Sequence, residues 1–123
     1  MADKSCPFCN PTTTVLSNNL AYAKYDSYPV TEGHLLIIPF RHFPDYFQST
    51  HEERESILEL IDNGKSLLDK QYSPDGYNIG INAGVPAGQT VMHLHVHLIP
   101  RYIGDMTDPR GGVRGVIPEK QSY

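Results

Sequence analysis

The longest regular pattern of apolar and polar positions lies in residues 49–72, where apolar side chains recur at helical spacing. This spacing predicts one amphipathic helix. Ser49 or Thr50 can cap its first turn, and Thr50 with Glu53 fits a capping box. Gly64 is expected to weaken the middle of the helix. The apolar stripe that would face the core consists of Ile57, Leu58, Ile61 and Leu68.

Four shorter stretches have the patterns of strands. Residues 20–26 form a short candidate strand, and residues 34–39 are nearly all apolar, which favours a buried strand. Residues 77–84 and 92–100 alternate between apolar and other side chains, as half-buried strands do. Antiparallel strands with one main helix predict an α+β fold.

The length and composition fit a single globular domain. The chain has 123 residues, of which 39% are apolar and 20% charged, so it can bury one core. We therefore expect one domain over residues 1–123. Residues 1–19 would form a polar, turn-rich N-terminal segment, and residues 101–123 a C-terminal tail without a clear period.

The charge and hydropathy disfavour two classes of partner. The formal net charge is −4, whereas proteins that bind nucleic acid are usually basic. A small anionic ligand remains compatible, because a local site can differ in sign from the whole molecule. No apolar run approaches the ~20 residues of a membrane span, and the first ten residues lack the apolar region of a secretory signal. The expected location is the cytoplasm.

Half of the six histidines lie within five residues of one another, at His93, His95 and His97. In a strand these side chains would share one face, while the leucines and valine between them would pack on the other. Such a row spans roughly 13 Å, which suits an extended ligand such as a phosphate chain with its sugar. It could also hold a metal ion, or be an exposed polar face without a function.

Neutral imidazole is a competent nucleophile near pH 7, because its unperturbed pKa is ~6.5. Attack on phosphorus would give a phosphoramidate that water can cleave. A flanking histidine, the glycine-containing backbone of residues 82–90, and the side chains of Gln89 and Thr90 could stabilise the developing charge. No acidic cluster that would hold Mg²⁺ lies near the triplet, which favours a nucleophilic histidine over metal-activated water.

These residues resemble a known family. His-Leu-His-Val-His-Leu-Ile at residues 93–99 has the His-φ-His-φ-His-φ-φ form, with φ apolar, of the histidine triad family of nucleotide hydrolases and transferases. GHLLIIPFRH (33–42) resembles the central strand of that family, and residues 82–101 resemble its active-site strands and the loop between them. The tail at residues 104–118 resembles bacterial members close to the dinucleoside polyphosphate hydrolases.

The resemblance implies a five-stranded antiparallel sheet, a homodimer, and attack on the α-phosphorus through a nucleotidyl-histidine intermediate. It implies that His95 is the nucleophile, that His97 contacts the phosphate, and that His34 lies beside the α-phosphate. The implied substrate-binding residues are Asp26 at the ribose hydroxyls, Asn82 near the sugar and phosphate, and Gln89 and Thr90 near the phosphate and leaving group.

The two cysteines, Cys6 and Cys9, form a CPFC sequence. Without an export signal a structural disulfide is disfavoured, which leaves half of a metal site or a redox pair. The resemblance to bacterial members and to a related uridylyltransferase group implies structural zinc completed by His42 and His93. No organic cofactor is expected.

The expected function is hydrolysis of dinucleoside polyphosphates, such as diadenosine tri- or tetraphosphate. The alternatives are a nucleoside phosphoramidate hydrolase, a nucleotidyl transferase, a zinc-dependent hydrolase whose triplet holds the catalytic metal, and a nucleotide-binding module with little catalysis. Arg110 and Arg114 in the tail could clamp a polyphosphate or could be ordinary surface residues.

Overall fold

The computed structural model describes residue 3 and residues 5–123. One antiparallel five-stranded sheet has the order β1-β2-β3-β5-β4, and one long helix packs against it. This confirms the predicted α+β class. The elements are β1 (Leu16–Ser17), β2 (Ala21–Tyr25), β3 (Leu35–Pro39), α1 (His51–Tyr72), β4 (Gly76–Gly80) and β5 (Val96–Arg101), with short 3₁₀ helices at Tyr46–Gln48, Val85–Ala87, Gly112–Val116 and Pro118–Lys120.

The helix α1 begins with the predicted capping box. Thr50 is the N-cap: its side chain accepts from the Glu53 backbone N–H, and the Glu53 carboxylate accepts from the Thr50 N–H. The buried face differs from the predicted stripe, because Leu58 is 61% exposed. The residues of α1 that face the sheet are instead spaced three and four positions apart and form one row along the helix. That row consists of Ile57, Leu60, Gly64 and Leu68.

At Gly64 the helix α1 packs tightly against the sheet. A Cβ atom at this position would lie 3.0 Å from the Leu98 side chain and 3.2 Å from that of Leu35. The glycine expected to weaken the helix therefore also allows the helix backbone to pack directly on β3 and β5.

The sheet has two unlike faces. The face towards α1 carries the main core, which includes Ala21, Ala23, Leu35, Ile37, Val96 and Leu98. On the opposite face a smaller cluster forms around Tyr22 and Ile38, where Cys6 and Phe8 of the N-terminal segment cover part of the surface. The rest of this face carries His95 and His97, which are partly exposed.

Several strand boundaries differ from the sequence prediction. The two-residue strand β1 lies in the segment expected to be turn-rich, and β4 ends at Gly80 rather than at residue 84. The strand β5 begins only at Val96, because the Leu94 N–H donates to the Phe43 carbonyl outside the sheet. The histidine triplet therefore straddles the start of β5.

Within the described part of the chain, no helix has the length and apolar character needed to cross a membrane.

Candidate active site and metal centre

The open face of the sheet brings side chains from three neighbouring strands into register. Leu36 on β3 is the register partner of both His97 on β5 and Lys24 on β2. Two residues from Lys24 and from Leu36, the Asp26 N–H donates to the His34 carbonyl at 2.9 Å, which places Asp26 and His34 side by side. Because every second side chain of a strand lies on the same face, the side chains of β2, β3 and β5 on this face lie next to one another.

Two cavities lie beside the histidine row, one lined by His95 and the other by His97. The first has a volume of about 320 Å³ and is lined by Phe8, Asp26, Leu36, Thr90 and His95, among others. The second has a volume of about 550 Å³, and its lining includes His34, Asn82 and His97. A ligand whose reacting atom lies at the row could therefore extend in either direction.

The backbone fixes the protonation pattern of His95. Its Nδ1 lies 2.9 Å from the carbonyl oxygen of His93, and a carbonyl only accepts hydrogen bonds. His95 must therefore carry its proton on Nδ1, which leaves the Nε2 lone pair free in the neutral form. The side chain lines the first cavity and packs against the Phe8 ring, with ring centroids 5.0 Å apart.

A second chain of hydrogen bonds fixes His34 and His97. The Val30 backbone N–H donates to Nδ1 of His34 at 3.0 Å, so the proton of neutral His34 is on Nε2. This Nε2–H donates to Nδ1 of His97 at 2.9 Å. His97 therefore carries its own proton on Nε2, where it can donate to an anion.

Burial keeps both of these histidines neutral. It lowers the pKa of His34, and the nearby Asp26 carboxylate, 3.5 Å from Nε2, opposes this shift. Burial, together with His95 and His34, lowers the pKa of His97 to about 4. At neutral pH the site therefore offers hydrogen-bond donors rather than imidazolium charges.

The pKa of His97 predicts a loss of stability in acid. An unfolded histidine titrates near pH ~6.5, so between pH 6.5 and 4 the unfolded chain binds the proton and the folded chain does not. The free energy of unfolding keeps the full contribution of His97 above pH 6.5. At pH 5.5 it is lower by about 1.4 kcal/mol because of His97. Urea denaturation at pH 7.5 and 5.5 should show this additional loss in the wild type but not in His97→Asn.

His51→Asn is the matched control, because His51 lies on the helix surface with its side chain 80% exposed. The additional loss attributed to His97 should persist in this variant. If the free energy of unfolding fell by the same amount between pH 7.5 and 5.5 in the wild type and in His97→Asn, the fold would not be holding His97 neutral.

Four predicted metal ligands lie together. The ligand atoms of Cys6, Cys9, His42 and His93, called here the cysteine–histidine cluster, all lie within 4.8 Å of one another. The Nδ1 atoms of His42 and His93 are 3.1 Å apart, and the sulfur of Cys9 lies 3.2 Å and 3.6 Å from them. Tetrahedral zinc with its usual bond lengths places ligands about 3.3–3.8 Å apart, so these residues fit zinc.

The hydrogen bond on the far side of His93 supports the same conclusion. Its Nε2 lies 2.8 Å from the Pro39 carbonyl, to which it must donate. Nδ1 of His93 is then unprotonated and faces both cysteines, as a zinc ligand requires. Cys6 and Cys9 are both free thiols in the structure.

A second group with potential ligand atoms, Asp26, His34 and His97, fits a metal less well. The Val30 N–H already occupies the Nδ1 lone pair of His34. Metal binding through Nε2 would leave neutral His34 no place for its proton except that same Nδ1. This group is better suited to binding polar ligand atoms.

The remaining predicted substrate-binding residues have different surroundings. Thr90 is exposed and lines the first cavity with His95, and Asn82 lines the second with His97. Gln89 is buried, and its side chain accepts from the Gly84 N–H and donates to the Val91 carbonyl. Gln89 therefore stabilises the loop before the triplet, and its contact with substrate stays a prediction.

The tail arginines have partners within the tail. Arg110 pairs with Asp108, and Arg114 donates to the Lys120 carbonyl and stacks on the Tyr123 ring. Their role as a polyphosphate clamp is untested.

Phe8 and Lys24 are among the first-cavity residues that the sequence analysis did not identify. Phe8 appeared there only within the CPFC sequence, and Lys24 only within a short candidate strand. Strand alternation along β2 could have identified Lys24, since it places Lys24 on the same face as the predicted ribose-binding residue Asp26. No local signal places Phe8 against His95, because their contact spans most of the chain.

Comparisons with known proteins agree with this geometry. The sequence matches the HIT domain family over residues 8–104. An uncharacterised HIT-like protein of Mycoplasma pneumoniae is 33% identical over 108 residues, which cover 83% of this chain and 75% of that protein. An AP-4-A phosphorylase of Mycobacterium tuberculosis is 33% identical over 92 residues, which cover 74% of this chain and 47% of that protein. This chain thus spans less than half of the phosphorylase.

Solved structures show the same fold. A HIT family protein from Bacillus anthracis superposes with a TM-score of 0.77 at 34% identity, covering 83% of this chain and 77% of that one. A zinc-bound histidine triad family protein from Mycobacterium smegmatis gives a TM-score of 0.76 at 31% identity, covering 85% and 80%.

Proposed function

Since this chain belongs to the HIT domain family, we propose that it is an enzyme that cleaves nucleotides at the α-phosphate through a covalent nucleotidyl-histidine on His95. The observation that carries this proposal is the hydrogen bond from Nδ1 of His95 to the His93 carbonyl. It leaves the Nε2 lone pair unprotonated beside a cavity large enough for a nucleoside.

In the first step Nε2 of His95 attacks the α-phosphorus. An N–P bond forms, the P–O bond to the leaving group breaks, and the leaving phosphate takes the bonding electron pair. The Nε2–H of His97 can donate to a non-bridging oxygen as charge develops there. His34 supports this donor, because its own Nε2–H holds Nδ1 of His97.

In the second step water attacks the same phosphorus. A new P–O bond forms, the N–P electron pair returns to Nε2, and the proton of the water passes to solvent. The products are a nucleoside monophosphate and free His95. Both displacements use the same lone pair, so no change of tautomer is needed between them.

The other site residues would orient the substrate. We propose that Asp26 accepts from the ribose hydroxyls, because Asp26 lines the first cavity together with His95. Asn82 and Thr90 would contact the sugar, phosphate or leaving group from the two cavities, and Gln89 would keep the loop between them in place.

We propose dinucleoside polyphosphates, such as diadenosine tri- or tetraphosphate, as the substrates. The name of the mycobacterial relative supports this, as does that of a Schizosaccharomyces pombe bis(5'-nucleosyl)-tetraphosphatase, 39% identical over 80 residues that cover 65% of this chain and 44% of that protein. The second cavity, beyond His97, offers space for a large leaving group. A phosphoramidate hydrolase would use the same residues with an amine as leaving group.

A substrate panel tests the function directly. Diadenosine tri- and tetraphosphate, adenosine phosphoramidate and an ADP-sugar would be supplied at equal concentrations, with release of AMP as the readout. We expect the highest kcat/KM with a dinucleoside polyphosphate. No AMP from any of the four would contradict the proposal, whereas a preference for the phosphoramidate would change only the leaving group.

We also propose a single domain over residues 1–123 with structural zinc in the cysteine–histidine cluster. A homodimer is supported by the edge position of β4, where Ile79 is 50% exposed, and by the exposed Val113 and Val116 nearby. Zinc here would hold the N-terminal segment against the strand that carries His95.

A further inference from the structure

We propose that Lys24 selects 6-oxopurine bases, guanine and hypoxanthine, over adenine at the bound nucleotide. This inference rests on the proposed function, because it assigns the first cavity to a nucleoside whose α-phosphate lies at His95. It goes further by naming the base that the cavity prefers: a diadenosine polyphosphate would still bind, but less tightly than its guanine or hypoxanthine counterpart.

The position of Lys24 matches that of the base in a nucleotide whose phosphate lies at the histidine row. Lys24, Leu36 and His97 lie in register across β2, β3 and β5. Adjacent strands are ~4.8 Å apart, so the backbone of Lys24 lies about 10 Å from that of His97. A nucleoside held by its phosphate at the histidine row would cross Leu36 and bring its base to β2.

The walls between these ends suit a flat aromatic ring. The Phe8 ring is 8% exposed and packs against His95, while Leu36 is 4% exposed beneath the cavity. Val91 lines the same cavity. These apolar groups can stack on any base but cannot distinguish one from another, since every base presents an apolar face.

Lys24 is the cationic side chain of this cavity, and it is half-buried. Asp26, two residues further along the chain, accepts from the Tyr28 N–H and lies beside His34. Among the residues that the structure describes, Lys24 makes no ion pair. Its ammonium group therefore has hydrogen-bond donors to offer a ligand.

An ammonium group donates three hydrogen bonds and accepts none. Guanine and hypoxanthine present two adjacent acceptors, O6 and N7, and lysine binds this pair well. Adenine replaces O6 with an amino group, whose hydrogens face the ammonium unfavourably. Contact at this edge therefore favours a 6-oxopurine, and hypoxanthine isolates the effect because it lacks the 2-amino group of guanine.

Equilibrium binding of IMP, GMP and AMP tests this proposal without turnover. We expect the wild type to bind IMP and GMP about tenfold more tightly than AMP, since hydrogen bonds to a charged donor are among the stronger ones. In Lys24→Met the ratio should fall to about one, whereas Lys24→Arg should keep a preference. Lys70→Met is the control, because Lys70 is exposed on α1.

The outcomes separate this inference from the proposed function. Equal affinities for IMP and AMP in the wild type would overturn the base preference alone. Equal weakening of all three nucleotides in Lys24→Met would place Lys24 at the phosphate, which also overturns it. A base preference that depends on Lys24, combined with full turnover in His95→Ala, would sustain this inference and contradict the proposed mechanism. Failure to bind any of the three would contradict both.

Discussion

Replacing His95 with alanine is expected to lower the kcat for a dinucleoside polyphosphate on the order of 10⁶-fold, as removal of the covalent nucleophile does in a serine protease. The reason is that the Nε2 lone pair of His95 makes the only proposed bond to phosphorus. Binding should change little, because the proposed contacts to phosphate and ribose come from His97, His34 and Asp26. Steady-state kinetics and the Kd for a mononucleotide measure the two effects separately.

The matched control is His51→Ala, which removes an exposed histidine and should keep full turnover. Alkaline quenching during turnover, followed by mass spectrometry of the peptides, should find one nucleoside monophosphate on His95. Near-normal turnover in His95→Ala, or the adduct on another residue, would end the nucleophile assignment.

The stereochemistry at phosphorus gives an independent check. Two in-line displacements, first by His95 and then by water, retain the configuration of a chiral phosphorothioate substrate. A single attack by water inverts it. Inversion would therefore favour a metal-activated or base-activated water over the covalent intermediate.

The elements with strong local signals could be predicted from the sequence. The capping box at Thr50 and Glu53 and the apolar run of β3 identified their elements within one or two residues. The prediction of the buried face of α1 was partly wrong. Leu58 and Leu60 are equally apolar in the sequence, and only packing against the sheet decides which of them is buried. Strand β1 has two residues, too few for any periodicity.

The site was predictable in its residue types but not in its hydrogen bonds. Alternation and resemblance indicated His93, His95 and His97, and the structure brings them together with His34 and Asp26. The carbonyl of Pro39 and the N–H of Val30 decide which nitrogen of a histidine carries the proton. Backbone groups look alike at every residue, so no sequence pattern could have identified these two.

The N-terminal segment connects the cysteine–histidine cluster to the active site in two ways. Phe8, between the two cysteines, forms a wall of the first cavity and contacts His95. His93 belongs to the cluster through its side chain and holds His95 through its backbone carbonyl. The cluster therefore anchors two groups that contact His95, the Phe8 ring and the His93 carbonyl.

Removal of zinc is accordingly expected to lower the free energy of unfolding by about 4 kcal/mol, the linkage contribution of a ligand present at about 1,000 times its Kd. The cluster joins Cys6 and Cys9 to His42 and His93, which are distant in sequence, so metal binding is coupled to folding. Thermal or urea denaturation with and without a chelator measures the loss, and elemental analysis should find about one zinc per chain.

A double variant, Cys6→Ser with Cys9→Ser, should contain no zinc and should not respond to the chelator. Ser5→Ala is its control, because Ser5 is exposed beside Cys6 and offers no metal ligand. Because the zinc is proposed to hold structure rather than substrate, chelated protein that is still folded by circular dichroism should retain turnover at low temperature. Immediate loss of turnover without unfolding would instead indicate a catalytic metal. A metal-free protein whose two cysteines form a reversible disulfide would indicate a redox pair, because the thiolates would then be paired with each other rather than with zinc.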